Sequence, residues 1–159
     1  MARLALGALL AAALALAGGA ATPAADADEA PALLVVVHPG VDAARLDRAE
    51  VRRIYLLRRR FWSDGSRVTP VNLPAASPVR DAFSRAALGR PARELADYWN
   101  DLYFHGTAPP AVVPSERAVL LFVARTRGAV GYVTRAAYDA AQAEPGAPPV
   151  RPVLEIGGG

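Results

Sequence analysis

The 159-residue chain has no cysteine and no lysine, one methionine and two histidines. The missing cysteine excludes a disulfide scaffold, thiolate zinc sites, cysteine nucleophiles and a thiol-linked lipid anchor. All 18 basic residues are arginine, set against 15 acids, for a formal charge of +3. That excess is too small to imply nucleic acid by itself. His38 and His105 lie far apart in sequence, and a metal site usually needs three or more converging ligands, so no metal is expected. No serine sits in a G-x-S-x-G elbow, and no glycine-rich loop of the phosphate-cradling type is present. Ser77, His105 and an aspartate would make only a nominal triad. The expectation is a non-enzyme that needs no cofactor. What the chain has instead is apolar mass, 53% of its residues, which is too much for a disordered polypeptide.

The first 25 residues read as an address. Arg3 supplies a short positive region, residues 4–17 form an apolar run, and Ala15-Leu16-Ala17 fits a cleavage site, with further choices down to Ala25. Fourteen helical residues would span roughly 21 Å, short of a hydrocarbon core of about 30 Å. A cleaved secretory signal is therefore expected over 1–25, and with it a periplasmic or secreted protein with no membrane span after cleavage. Residues 26–31 (DADEAP) form a polar leader, 32–156 one domain, and 157–159 a flexible tail.

Within the domain, residues 32–38 (ALLVVVH) are a continuous β-branched run, as in a strand buried on both faces of a parallel sheet. Leu46, Val51, Ile54 and Tyr55 follow helical spacing, with Asp42 or Asp47 as the cap. Residues 63–66 (SDGS) make a turn, and 67–73 a second strand in which Pro70 implies an edge or a bulge. Ser77-Pro78 opens a helix that Gly89 ends. Pro91 starts another, carrying Leu95, Tyr98, Trp99 and Leu102, and Gly106 ends it. A proline-rich loop over 107–114 precedes a helix capped by Ser115 and closed by Gly128. A strand over 129–133, a helix over 136–142 and a strand over 150–156 complete the chain. Strands alternating with helices predict an α/β fold: one three-layer lobe, its mainly parallel sheet flanked by helices.

Several segments, in this order, resemble the phosphate-type periplasmic substrate-binding proteins of ABC transporters. They are residues 54–62 (IYLLRRRFW), Asp64-Gly65 with 68–72, residues 77–83 (SPVRDAF), Tyr98-Trp99 with Phe104-His105-Gly106, and 119–133 ending in TRGAVGYV. The resemblance implies the type 2 periplasmic-binding fold, a non-catalytic role, phosphate or a similar oxyanion as ligand, and a link to phosphate uptake. It covers one lobe where that family has two. Two departures stand out. Leu57 occupies a position where the family has glycine, and Ser77 is followed by Pro78 and Val79 where the family's phosphate loop reads Ser-Gly-Thr.

By this reading the anion would meet the helix start at Ser77: the Ser77 hydroxyl, the Val79 and Arg80 backbone N–H groups, and the Arg80 guanidinium. Pro78 brings no N–H. The alternative is a plain N-cap at Ser77, with the lobe kept as a scaffold or sensor accessory for an envelope protein partner or for self-association. Arg58, Arg59 and Arg60 read as a solvated helix end rather than a nucleic-acid patch, and Trp62, Tyr98, Trp99 and Phe122 as packing residues.

Overall fold

The computed structural model describes residues 31–157. The expected signal over 1–25, most of the polar leader and the last two residues lie outside this range. Five strands form one sheet in the order β3-β2-β4-β1-β5, where β1 is Leu33–Val37, β2 Thr69–Asn72, β3 Ala111–Val112, β4 Ala129–Thr134 and β5 Arg151–Ile156. The β2–β3 and β2–β4 pairs are parallel, and β1 runs antiparallel to both β4 and β5. Four strands thus point one way and β1 alone points back. The apolar run of β1 is buried at every residue, as its composition demands. Its ladder partners β4 and β5 flank it in the plane of the sheet and both run against it, unlike the parallel pairing that its composition suggested.

The helices are α1 (Arg48–Tyr55), α2 (Pro78–Phe83), α3 (Ala96–Phe104), α4 (Glu116–Arg125) and α5 (Arg135–Gln142). Asp47 caps α1 in a capping box, its carboxylate accepting from Glu50 N while the Glu50 side chain accepts from Asp47 N. Alternation along β4 assigns the layers. Gly131 faces α4, where a Cβ would lie 2.4 Å from Val119 and 3.0 Å from Val123. Tyr132 faces the other way, stacked on Phe83 of α2 with ring centroids 3.8 Å apart, and Tyr55 of α1 meets both rings edge-on. The lobe therefore has three layers, with α1 and α2 below the sheet and α4, accompanied by α5, above it.

Four local details differ from the sequence expectation. Pro70 lies in β2, an interior strand, yet costs no ladder bond there. The partner strand β3 begins only opposite Val71, so that flank of Pro70 is open. The proline-rich loop over 107–114 contains β3 itself, too short to show a pattern. The helix begun at Ser77 also widens into a π turn at Ser84–Leu88 before Gly89 ends it in the left-handed conformation. The chain after Pro91 first makes a 3₁₀ turn, Ala92–Leu95, before α3.

Candidate functional site

Because β2, β3 and β4 are parallel and in register, their carboxyl ends share one edge of the sheet. Each strand leads into a helix that starts at that edge: α2 capped by Ser77, α4 by Ser115 and α5 by Thr134. Ligands of α/β sheets bind in the crevice outside such strand ends. Three helix starts give the edge a positive character, and one of them, that of α5, already meets the protein's own anion. Glu116, in the first turn of α4, accepts from Thr134 N at the start of α5 through its carboxylate.

The start of α2 is organised differently. The Ser77 hydroxyl oxygen accepts from Arg80 N at 3.4 Å, and Ser77 N donates to Pro74 O at 2.9 Å. The Arg80 backbone N–H, expected as a ligand donor, thus donates within the cap. Val79 N–H has no acceptor among the described residues. The Arg80 guanidinium reaches back and donates to Leu73 O at 2.9 Å, at the end of β2. Arg117 and Arg135, beside the other two helix starts, are ion-paired with Glu144 at 2.7 Å and Glu155 at 2.5 Å. Glu155 also raises the affinity of Arg135 for its proton, mainly through their hydrogen bond. Arg80 has no carboxylate partner among the described residues.

Below Arg80 lies a buried polar pair that sequence reasoning did not find. Tyr132 donates to Asn72 Oδ1 at 3.0 Å and accepts from Leu73 N at 3.4 Å. Burial pushes the Tyr132 phenol up to about 12, although the Leu73 N–H and the nearby Arg80 charge pull it down. Tyr55 is raised well above the usual phenol value, first by burial and then by Tyr132, and its hydroxyl donates to Val71 O at 3.2 Å. The strand end that carries Asn72 and Leu73 is thus fixed from beneath, and Arg80 is fixed to it. Asn72 at a strand end was visible in the sequence. Its partner lies 60 positions away and is brought to it only by the β2–β4 pairing.

The other residues singled out from sequence fall elsewhere. Arg59 pairs with Glu50 at 2.6 Å and lies over the Trp62 ring at 5.5 Å, and Arg60 donates to Leu57 O. Trp62 is buried and donates to Gly128 O at 2.9 Å, a packing role. His38 Nδ1 accepts from Gly40 N, and His105 sits beside Asp101, so the two histidines serve separate turns. No cluster of potential metal ligands exists among the described residues.

No protein-family model matches the chain, and no curated protein matches it by sequence. Solved structures do match. An ABC-type phosphate transport receptor from Vibrio cholerae aligns with 79% of this chain and 47% of its own, at 18% identity and a TM-score of 0.55. A phosphate ABC transporter substrate-binding protein from Clostridium perfringens, described as putative and solved with bound phosphate, covers 82% of this chain and 57% of its own, at 18% identity and a TM-score of 0.55. PstS from Borrelia burgdorferi covers 80% and 57%, at 11% identity and a TM-score of 0.55. The fold is that of the phosphate-transporter substrate-binding proteins. The chain spans about half the length of these solved structures. No helix among the described residues is long and apolar enough to cross a membrane.

Proposed function

We propose that the chain is an exported, non-catalytic, single-lobe phosphate- or oxyanion-binding domain connected with phosphate uptake, acting in the periplasm or outside the cell after loss of residues 1–25. The anion would meet the start of α2, taking the free Val79 N–H, the Ser77 hydroxyl proton and the Arg80 guanidinium. The observation that carries this reading is Arg80: the arginine at this edge without a carboxylate, held by Leu73 O beside an unfilled helix start. The shared fold supports it, since one of its members was solved with phosphate.

Affinity follows from the number of contacts. A hydrogen bond to a charged group contributes about 1.5–3 kcal/mol, association costs at least about 4 kcal/mol, and a micromolar site needs about 8 kcal/mol net. Three contacts on one lobe give millimolar capture, so tighter binding requires a second surface to close over the anion. A second reading is that the lobe is a scaffold for an envelope partner and has lost its ligand. It is favoured by the cap bond of Arg80 N–H, which leaves the site one donor poorer than the sequence suggests.

Calorimetric titration of phosphate, then sulfate, decides between them. The first reading expects saturable heat with a Kd near 1 mM, about 4 kcal/mol. Binding should be abolished by Arg80→Ala and partly kept by Arg80→Lys, which retains charge but not the fork. Absence of heat from folded protein at tens of millimolar phosphate, in the sense of that scale, leaves only the scaffold.

A further inference from the structure

α3 is an apolar helix that packs on the body along one side only. It carries Tyr98, Trp99, Leu102, Tyr103 and Phe104, yet none of its residues is fully buried. Tyr98 ties it to the body by donating to Leu56 O at 2.6 Å. Helical spacing puts Tyr98, Leu102 and Trp99 on the half-buried side, and Asp97, Asp101 and Phe104 (i, i+4, i+7) on the opposite one. Phe104 is 85% exposed and Tyr103 65%, adjoining rings with centroids 6.2 Å apart. Exposed aromatics grouped in this way mark an interaction surface, and the two aspartates select a basic one.

The same chain offers such a surface. The segment after α3 forms one wall of a groove of about 410 Å³. Its apolar lining includes Leu57, Pro109 and Pro110, and its cations are Arg59, Arg60 and Arg67, with no acidic residue lining it. Arg59 is shared with Glu50, whereas Arg60 and Arg67 have no carboxylate partner among the described residues. The groove lies at the amino ends of β2 and β3, away from Ser77. Helix face and groove are therefore neighbours on one molecule, of opposite charge and both apolar at the centre. Phe104 of the same molecule stays in solvent.

We propose that the chain pairs with a second copy of itself, Tyr103 and Phe104 of each entering the groove of the other while Asp97 and Asp101 face Arg60 and Arg67. A two-fold axis makes both contacts at once, because adjoining complementary patches close reciprocally. Both copies carry a net positive charge, so the acid–arginine contacts also supply the attraction that collision between them lacks.

Sedimentation equilibrium on the chain as exported by an expressing cell tests this pairing. The expected result is a dimer populated by about 100 µM and weakened by salt. Phe104→Asp should give a monomer with an unchanged thermal midpoint, since Phe104 is not buried in the single chain. Arg60→Glu with Arg67→Glu should weaken pairing by at least about tenfold, and adding Asp97→Arg with Asp101→Arg should restore it. A wild-type monomer at about 100 µM in low salt overturns the proposal and leaves the face to a different partner. A dimer that survives Phe104→Asp, or a charge exchange that restores nothing, overturns it equally. None of these variants touches Ser77, Val79 or Arg80, so phosphate titration of the same samples reports on the anion site separately.

Discussion

At the scale of single residues, Leu57 and Tyr132 carry the clearest consequences. Leu57 has φ +54°, the left-handed region, at the position where the resemblance expects glycine. That conformation costs a residue with a Cβ about 1–2 kcal/mol. Leu57→Gly should therefore be neutral or stabilising by about 1 kcal/mol, whereas Leu56→Ala, at a buried neighbour with φ −88°, should lose about 2–4 kcal/mol. Urea unfolding of the two variants checks the contrast. Tyr132 acts through its proton. Below the ordinary phenol value of about 10 it is neutral whether folded or unfolded, and its contribution is complete. Above that value the unfolded chain ionises first, and stability falls as pH rises toward about 12. Tyr132→Phe should be less stable at neutral pH by about 1–3 kcal/mol, because Asn72 Oδ1 and Leu73 N lose their partner. It should also lose less stability between pH 10 and 12 than the parent, measured by alkaline denaturation. An equal alkaline slope in the two proteins would assign that loss to Tyr55.

At the scale of elements, α1 and α2 show how much of a helix is local. The Asp47–Glu50 capping box and the Ser77-Pro78 start are chemistry between residues three or fewer apart, so both were legible in the sequence. The far end of α2 is not local. The Asp81 carboxylate accepts from Arg85 Nε at 2.8 Å and from Ala92 N at 3.2 Å, and so ties the helix to the turn that follows the π segment. The Arg85 hydrogen bond, with that of Ala92 second, holds the Asp81 carboxyl below the ordinary carboxylate value. Its contribution is present above that ordinary value and is lost as pH falls through the lowered one. Asp81→Asn should flatten the acid limb of a thermal-midpoint profile below pH 4 and leave the alkaline limb unchanged. β3 was hidden for a related reason. Two residues have no period, and only the register with Val71 and Asn72 makes them a strand.

At the scale of the whole molecule, the layers meet at Gly131. A Cβ there would press on Val119 and Val123 of α4 and lie 3.1 Å from Val71 in β2. Gly131→Ala should cost about 1–3 kcal/mol, because a packed interior has no slack to take the methyl group. The core cluster of the described residues runs from Leu33 to Ile156, so unfolding should be one transition, with tryptophan fluorescence and far-UV circular dichroism coincident for both parent and variant. Separate transitions would mean that α3 and its loops, which bury little, melt on their own. The charge pattern also belongs to this scale. Arginines at the strand-end edge are mostly paired off, while those of the groove beside α3 are mostly not.

Four of the five strands, the helices, the Ser77 and Ser115 caps, the buried run of β1 and the turn at Gly65 are legible along the chain, because each depends on contacts over a few residues or on a simple apolar period. Only the tertiary structure decided which strands pair and in which direction. It alone brought Tyr132 to Asn72 and Glu116 to the start of α5, and left the Phe104 side of α3 exposed. Those outcomes depend on which distant surfaces exclude water together, and no local pattern encodes that choice.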